Sequence, residues 1–296
     1  MKTAKLARSY RIDDGKHFRL KDFDPADTGH LHSIDQAREQ LQKDTARLED
    51  LQSKLYAQDR WALLLIFQAL DAAGKDGTIK HVMSGVNPEG CQVYSFKVPS
   101  ADELQHDFLW RTTRHLPERG HIGIFNRSYY EEVLVVRVHP KALAAEMLPP
   151  SLVTKNIWEE RFEDIRSFER HMARNGTVIR KFFLHLSKKE QKRRFLARLE
   201  EPEKNWKFSA ADIHERKYWD DYQKAYEEMI CNTATKHAPW YVIPADNKWF
   251  THLAVSAAIV ETLEQLGLAY PKVDAAKRKE LQAARQTLVK KGSGAV

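Results

Sequence analysis

The chain has 296 residues, 42% hydrophobic and 30% charged, so it can bury one substantial core and is too apolar to stay disordered. Its longest apolar run, WALLLIF at 61–67, is too short to cross a bilayer, and residues 1–20 hold no signal-like apolar stretch. Cys91 and Cys231 are too far apart to suggest a disulfide framework or zinc spacing, whereas a formal charge of +7 favours an anionic partner in a reducing, cytoplasmic setting.

In chain order, residues 1–30 show no clear periodicity, and DFDPADTGH reads as part of an irregular arm. Ser33 with Gln36 forms a capping-box signature ahead of Ile34, Ala37, Leu41, Leu48, Leu51 and Leu55. Those spacings predict a long amphipathic helix to about residue 57, an N-terminal helical extension. The period then changes. WALLLIFQAL is a continuous apolar run, as expected of a strand buried on both faces of a parallel sheet. Four further short runs follow: CQVYSF (91–96), HIGIF (121–125), TVIRKFFLHL (177–186) and WYVIP (240–244). Helical stretches separate them, and capping-box pairs at Ser100/Glu103 and Ser187/Glu190 precede two of these. The alternation predicts an α/β fold, a parallel sheet with helices on both faces, in one domain over 31–270. Residues 271–296 carry seven basic side chains against two acidic ones and read as a solvated basic tail.

The first strand runs into ALDAAGKDGTIK (69–80), close to the phosphate-loop pattern G-x-x-x-x-G-K-[ST]. Ala69 stands where the first glycine belongs, and Asp76 where the magnesium-holding hydroxyl belongs. Gly74 permits a tight turn, and a helix beginning near Gly77 would aim backbone N–H groups at an anion. Ala73, Gly74, Lys75, Asp76, Gly77 and Thr78 are therefore the expected phosphate- and nucleotide-binding stretch, with Lys75 supplying mobile positive charge. Asp71, at the carboxyl end of the strand, is the preferred magnesium ligand; Asp76 reads instead as an early helix residue favoured by the dipole. After HIGIF, Asn126 takes the place of the metal-holding Asp found in many phosphate-loop enzymes, and Arg127 can stabilise a transferring phosphoryl group. Tyr129 and Tyr130 suit packing or ligand contact equally well.

Residues 181–200 carry seven Lys/Arg against two Glu. Arg194 and Arg198, at i and i+4, share one helix face and can reach one anion, with Phe195 and Leu199 as an apolar stripe that docks the helix. Pro202 interrupts the helix, so 187–210 can serve as a moving cover. His81, His115 and His121 read as structural, because an acceptor phosphate is already deprotonated and needs no general base. Trp206, Phe208 and Trp219 read as packing residues rather than base-stacking ones.

Three segments together resemble the polyphosphate kinase 2 family: FQALDAAGKDGTIKHVMSGVNPEGCQVYSFKVPS, GIFNRSYYEEVLVVRVHP and RRFLARLEEPEKNWKFS, a similarity covering roughly residues 18–268. The resemblance implies a phosphate-loop, kinase-like three-layer α/β/α fold with a helical lid. It implies magnesium-dependent phosphoryl transfer, with manganese as a substitute, between inorganic polyphosphate and nucleoside mono- and diphosphates. Asp71 and Lys75 match the family's first phosphate motif, Asn126 and Arg127 its second, and Arg194 and Arg198 its lid arginines. The metal would rest on Asp71 and Asn126. Asn126 followed by Tyr-Tyr-Glu-Glu is similar to the subgroup that accepts AMP and ADP, with guanine nucleotides as further acceptors, and Glu131 is similar to a position linked to that preference. A polymer also needs a track, for which Lys80, Lys97, Arg111 and Arg114 are the candidates. A homo-oligomer is expected, with neither nucleic acid nor membrane as partner. The rival readings are an ATP-dependent nucleotide kinase and a non-catalytic polyanion- or RNA-binding protein on a decayed phosphate loop.

Overall fold

The computed structural model describes residues 3–31 and 33–292. Six strands form one sheet in the order β1-β6-β5-β2-β4-β3: β1 (Arg11–Ile12), β2 (Ala62–Gln68), β3 (Cys91–Ser95), β4 (Ile122–Asn126), β5 (Thr177–His185) and β6 (Trp240–Pro244). All pairings are parallel except β1 against β6. Each of the five predicted strands is present.

β2 explains the layering. All seven of its residues are buried, and their alternating side chains enter two separate cores. Leu63, Leu65 and Phe67 pack with Leu48, Leu51 and Leu55 of the helix Ile34–Gln58 and with the helix Lys248–Gln265. Leu64 and Ile66 pack on the other face with Phe162 and Ile165 of the helix Ile157–Arg174 and with Tyr226 and Met229 of the helix Trp219–Thr233. Burying a Leu or Ile on each side contributes about 1.5–3 kcal/mol per side chain, so the strand is apolar throughout. The result is the three-layer α/β/α arrangement.

The capping signals have mixed outcomes. Ser33 accepts from the Gln36 N–H and starts the long helix as expected. Ser100 and Glu103 complete a reciprocal pair of bonds, yet only the 3-10 turn Glu103–Gln105 follows, with Asp102 as its N-cap. The N-terminal arm is irregular where DFDPADTGH lies, but not at its start. Its helix Thr3–Arg8 lies against Lys248–Gln265, and β1 extends the sheet, with the Val242 N–H donating to the Tyr10 carbonyl. The backbone of so short a strand is satisfied by its neighbour, which no periodicity in two residues can announce. The helix Ala275–Gly292 is exposed along its length through Val289, in keeping with a solvated tail; residues 293–296 lie outside the described residues. Among the described residues no helix is long and apolar enough to cross a membrane.

Candidate active site

The carboxyl ends of β2 and β4 lie side by side, Phe67 opposite Asn126 in the register. The phosphate loop and the Asn126–Arg127 pair project from these two ends. Gly74, at φ +105°, is the N-cap of the helix Lys75–Val82, which starts two residues before the predicted Gly77 because the left-handed glycine turns the chain at once. A Cβ at Gly74 would find room, its nearest neighbour being an Arg194 nitrogen at 3.8 Å, so the backbone angle alone demands glycine. Ala72 and Arg127, both at φ +64°, also hold the left-handed conformation, a strain that concentrates where ligands are gripped.

Lys75 is half-buried and donates to the Ala69 backbone carbonyl at 3.1 Å. Loss of water, and next the charge of Arg127, lower the Lys75 ammonium to about 8. Asp71 accepts from Arg127 at 3.0 Å, and Arg127 donates also to Glu131 at 3.3 Å. Glu131 above all, against the cost of burial, pushes the guanidinium still further up. Asn126 and Asp71 line the same groove. Asn126 donates to Asp76 at 2.7 Å and to the Ser95 hydroxyl at 3.4 Å. Asp76, expected in the phosphate-binding stretch but not as a metal ligand, stands where the usual hydroxyl would and accepts from Asn126.

Arg127 is held from behind by a buried polar knot. The hydroxyls of Tyr129 and Tyr130 donate to Glu169 at 2.9 and 2.8 Å, and the fully buried Lys181 donates to Glu169 at 2.7 Å, to the Tyr130 hydroxyl and to the Thr233 carbonyl. Both tyrosines are thus packing residues. Since removing one member of a buried pair strands the other charge, at about 3–5 kcal/mol, the segment after Arg127 is rigidly placed.

The lid helix Lys188–Glu200 sits above the loop. The two arginines expected to share one anion, Arg194 and Arg198, have parted company. Arg194, 7% exposed, donates to the carbonyls of Ala72, Ala73, Ala245 and Asp246 and so ties the lid to the ends of β2 and β6. Arg198 forms an ion pair with Asp212 at 2.9 Å and donates to the Lys207 carbonyl. Phe195 docks the helix, but Leu199 is half exposed and does not. Trp219 is buried, whereas Trp206, at 78% exposure on the lid, is not the packing residue expected.

A groove of about 800 Å³ runs from the loop to the lid, lined by nine Lys and Arg side chains against three carboxylates. All residues from Asp71 to Thr78 line it, together with Asn126, Arg127, Arg194 and Arg198. Of the expected polymer track only Lys97 is on its wall. Arg111 is 6% exposed, bonded to the Lys97 carbonyl, and faces a different hollow. Arg114 stacks on Trp110, and Lys80 and Arg114 are not among the residues lining the groove. Sequence reasoning missed Arg193, Lys204, Lys207 and Lys248, although the first three lie in the basic lid segment it singled out. His81 stacks on His252 in the groove wall, and burial, with His81 next, lowers His252 to about 4, leaving it neutral. His115 packs on Tyr94 and His121 on Tyr56, as structural histidines should.

A second chamber, of about 210 Å³, opens between 97–111 and 131–146; its exposed surface is largely apolar, with charged side chains, Glu131 among them, set in the wall. Arg127, Lys97 and Val98 line both hollows, so the two meet at the Arg127 guanidinium.

The family model described as Polyphosphate kinase 2 matches residues 31–269. A protein of Rhodopseudomonas palustris named ADP-polyphosphate phosphotransferase is 56% identical over 96% of this chain and 98% of its own. One of Meiothermus ruber, named AMP/ADP-polyphosphate phosphotransferase, is 47% identical over 92% of this chain and 98% of its own. The crystal structure of polyphosphate kinase 2 from Arthrobacter aurescens superposes with a TM-score of 0.85 at 39% identity, covering 94% of this chain and 96% of that one. With the family model spanning most of its length and both relatives covered almost end to end, the chain belongs to the polyphosphate kinase 2 family.

Proposed function

We propose that this protein transfers a phosphoryl group, reversibly, from inorganic polyphosphate to AMP and ADP. The observation that carries the reading is the meeting of two unlike hollows at Arg127: a long cationic groove suited to a polyanion and a compact, largely apolar chamber suited to a nucleoside. Phosphoryl transfer asks for alignment and charge neutralisation more than for covalent chemistry. Here Lys75 and the N–H groups at the start of its helix would hold the donor phosphates, and Arg127 would bridge donor and acceptor. The acceptor oxygen is already ionised, so the histidines have no proton to take. An Asn126-Arg127 pair followed by Tyr-Tyr-Glu-Glu, together with the Meiothermus ruber relative's name, supports acceptance of AMP beside ADP; guanine nucleotides would enter the same chamber.

Magnesium fits the donors present. Asp71, Asp76 and the Asn126 amide offer hard oxygen ligands, too few to cage an ion alone, and no cluster of three His, Cys, Asp or Glu is found among the described residues. Phosphate oxygens and water would complete the shell. When bound, the ion would neutralise charge on the phosphates.

The test is ATP formation from AMP and, separately, from ADP with polyphosphate and magnesium, with an inhibitor blocking contaminating adenylate kinase. Product from both acceptors, lost without polymer or with a chelator, is the expected result. Product from ADP alone would restrict the acceptor range, and none from either would overturn the reading.

A further inference from the structure

The acceptor chamber differs from the groove in charge as well as size. Its walls carry Glu103, Asp107, Glu131, Glu132 and Glu146 against Lys97, Arg111 and Arg127. Two of those cations stand at the junction with the groove, and the third is already committed. Arg111 donates to the Lys97 carbonyl and lies 3.9–4.0 Å from Glu132 and Glu103. Glu131 is paired with Arg127, and Glu146 with Arg161. Asp107 is left exposed at the outer wall, its Oδ1 capping only the Leu109 N–H, and Glu103 beside it caps the Ser100 N–H. Burial first, and the neighbouring Glu146 next, push the Glu132 carboxyl up to about 8, so it keeps its proton at neutral pH and the charge facing the chamber falls to Glu103, Asp107, Glu131 and Glu146.

We propose that this chamber chooses its occupant by charge, admitting the uncharged nucleoside and refusing a polyphosphate chain, with Glu103 and Asp107 as specificity-determining residues. The inference rests on the phosphotransferase reading above. Ribose hydroxyls and an exocyclic amino group are donors that carboxylates accept, whereas each phosphate unit would meet like charge. The nucleotide's own phosphates need go no deeper than Arg127 and Lys97. Without such a barrier a long polymer in the groove could run past Arg127, fill the acceptor chamber and block turnover. The groove's cations draw the polymer in; the chamber's carboxylates stop it at the junction.

The experiment uses the full-length Glu103→Gln/Asp107→Asn double variant. Both amides keep an oxygen for the backbone N–H that each carboxylate now caps. Initial rates of ATP formation are measured over a grid of ADP and polyphosphate concentrations at low salt. In the variant, excess polyphosphate should inhibit competitively against ADP, with an inhibition constant at least about fivefold below that of the parent, the scale of one close charge interaction in water. That difference should shrink as salt is raised. Asp107→Asn alone, at an exposed side chain, should show a smaller shift of the same sign and serves if the double variant misfolds. ATP formation with an unchanged inhibition constant, or inhibition not relieved by ADP, would overturn the charge barrier and leave the phosphotransferase reading standing. No ATP from parent or variant would sink that reading, and the barrier with it.

Discussion

At the end of β2 the chain is held by its own backbone; in the lid above it, side chains hold one another. Gly74, Ala72 and the N–H groups of Lys75–Val82 form a cradle whose shape is set by φ angles and by strand pairing to β4. The lid rests on one buried arginine, one phenylalanine and a set of ion pairs of its own: Arg193 and Arg194 to Glu190, Arg198 to Asp212. A cradle fixed by backbone presents its donors at no ordering cost when phosphate arrives. Where its pairs reach solvent, as at Arg193, the cover can exchange them for phosphate oxygens, since exposed pairs are worth about 1 kcal/mol or less. The Arg198–Asp212 pair is more enclosed, and Arg194–Glu190 is nearly buried. Arg194 and Arg198, one turn apart, mark the boundary between the two regimes.

The sharpest separation should come from Lys75→Ala, with Asp71→Asn alongside. Turnover should fall by about a hundred- to a thousandfold or more, the scale of losing one preorganised electrostatic group. Thermal melting should hardly move for Lys75→Ala, because its ammonium makes a single bond to the Ala69 carbonyl. A folded variant of either kind near full activity would remove the loop from the chemistry.

Next in size is the contrast between the lid arginines. Arg194→Lys replaces a planar fork that satisfies four carbonyls with a point charge that cannot. It should cost about 2–4 kcal/mol of stability, read by denaturant unfolding, since buried carbonyls are left unpaired. Arg198→Ala should leave stability almost unchanged and slow kcat by about tenfold. Equal stability losses would mean the helix acts as one structural unit and the boundary is drawn in the wrong place.

Sequence reasoning reached the backbone-held region more fully than the lid, and the reasons are physical. A strand buried on both faces must be apolar throughout, and a tight phosphate turn must use glycine, so β2 and Gly74 carry their structure in their composition. The spacing that put Arg194 and Arg198 on one face was correct, but spacing cannot say which of two arginines finds four carbonyls from loops 50 and 120 residues away in sequence. The same holds for Asn126, whose partner is Asp76 rather than Asp71, and for Arg111, a plausible polymer contact by charge that tertiary packing turns inward. β1 shows the converse: two residues with no pattern, made into a strand by β6.

Acidity distinguishes the regions again. Burial and Arg127 hold the Lys75 ammonium near 8, so the free protein loses this charge as pH rises through that value. kcat/KM for polyphosphate should therefore decline above pH 8, by about tenfold for each further unit if the charged lysine is required. Bound phosphate favours the ammonium and should move the decline upward in kcat. A profile flat from pH 7 to 9.5 would mean the lysine's charge is not what the polymer meets.

The smallest effect probes the lid's resting state. Burial first, and Asp71 second, push the Asp212 carboxyl above its ordinary value, yet Arg198 still pairs with it at 2.9 Å. If polyphosphate must take Arg198 from Asp212, then Asp212→Asn removes a competitor and leaves an amide that can still accept one hydrogen bond. Polyphosphate should bind about two- to fivefold more tightly, the worth of one partly buried pair, with the melting temperature within a few degrees of the parent. Weaker binding would give Asp212 the opposite role, that of a carboxylate aligning Arg198 for the phosphates, and the lid would then be preorganised much as the loop is.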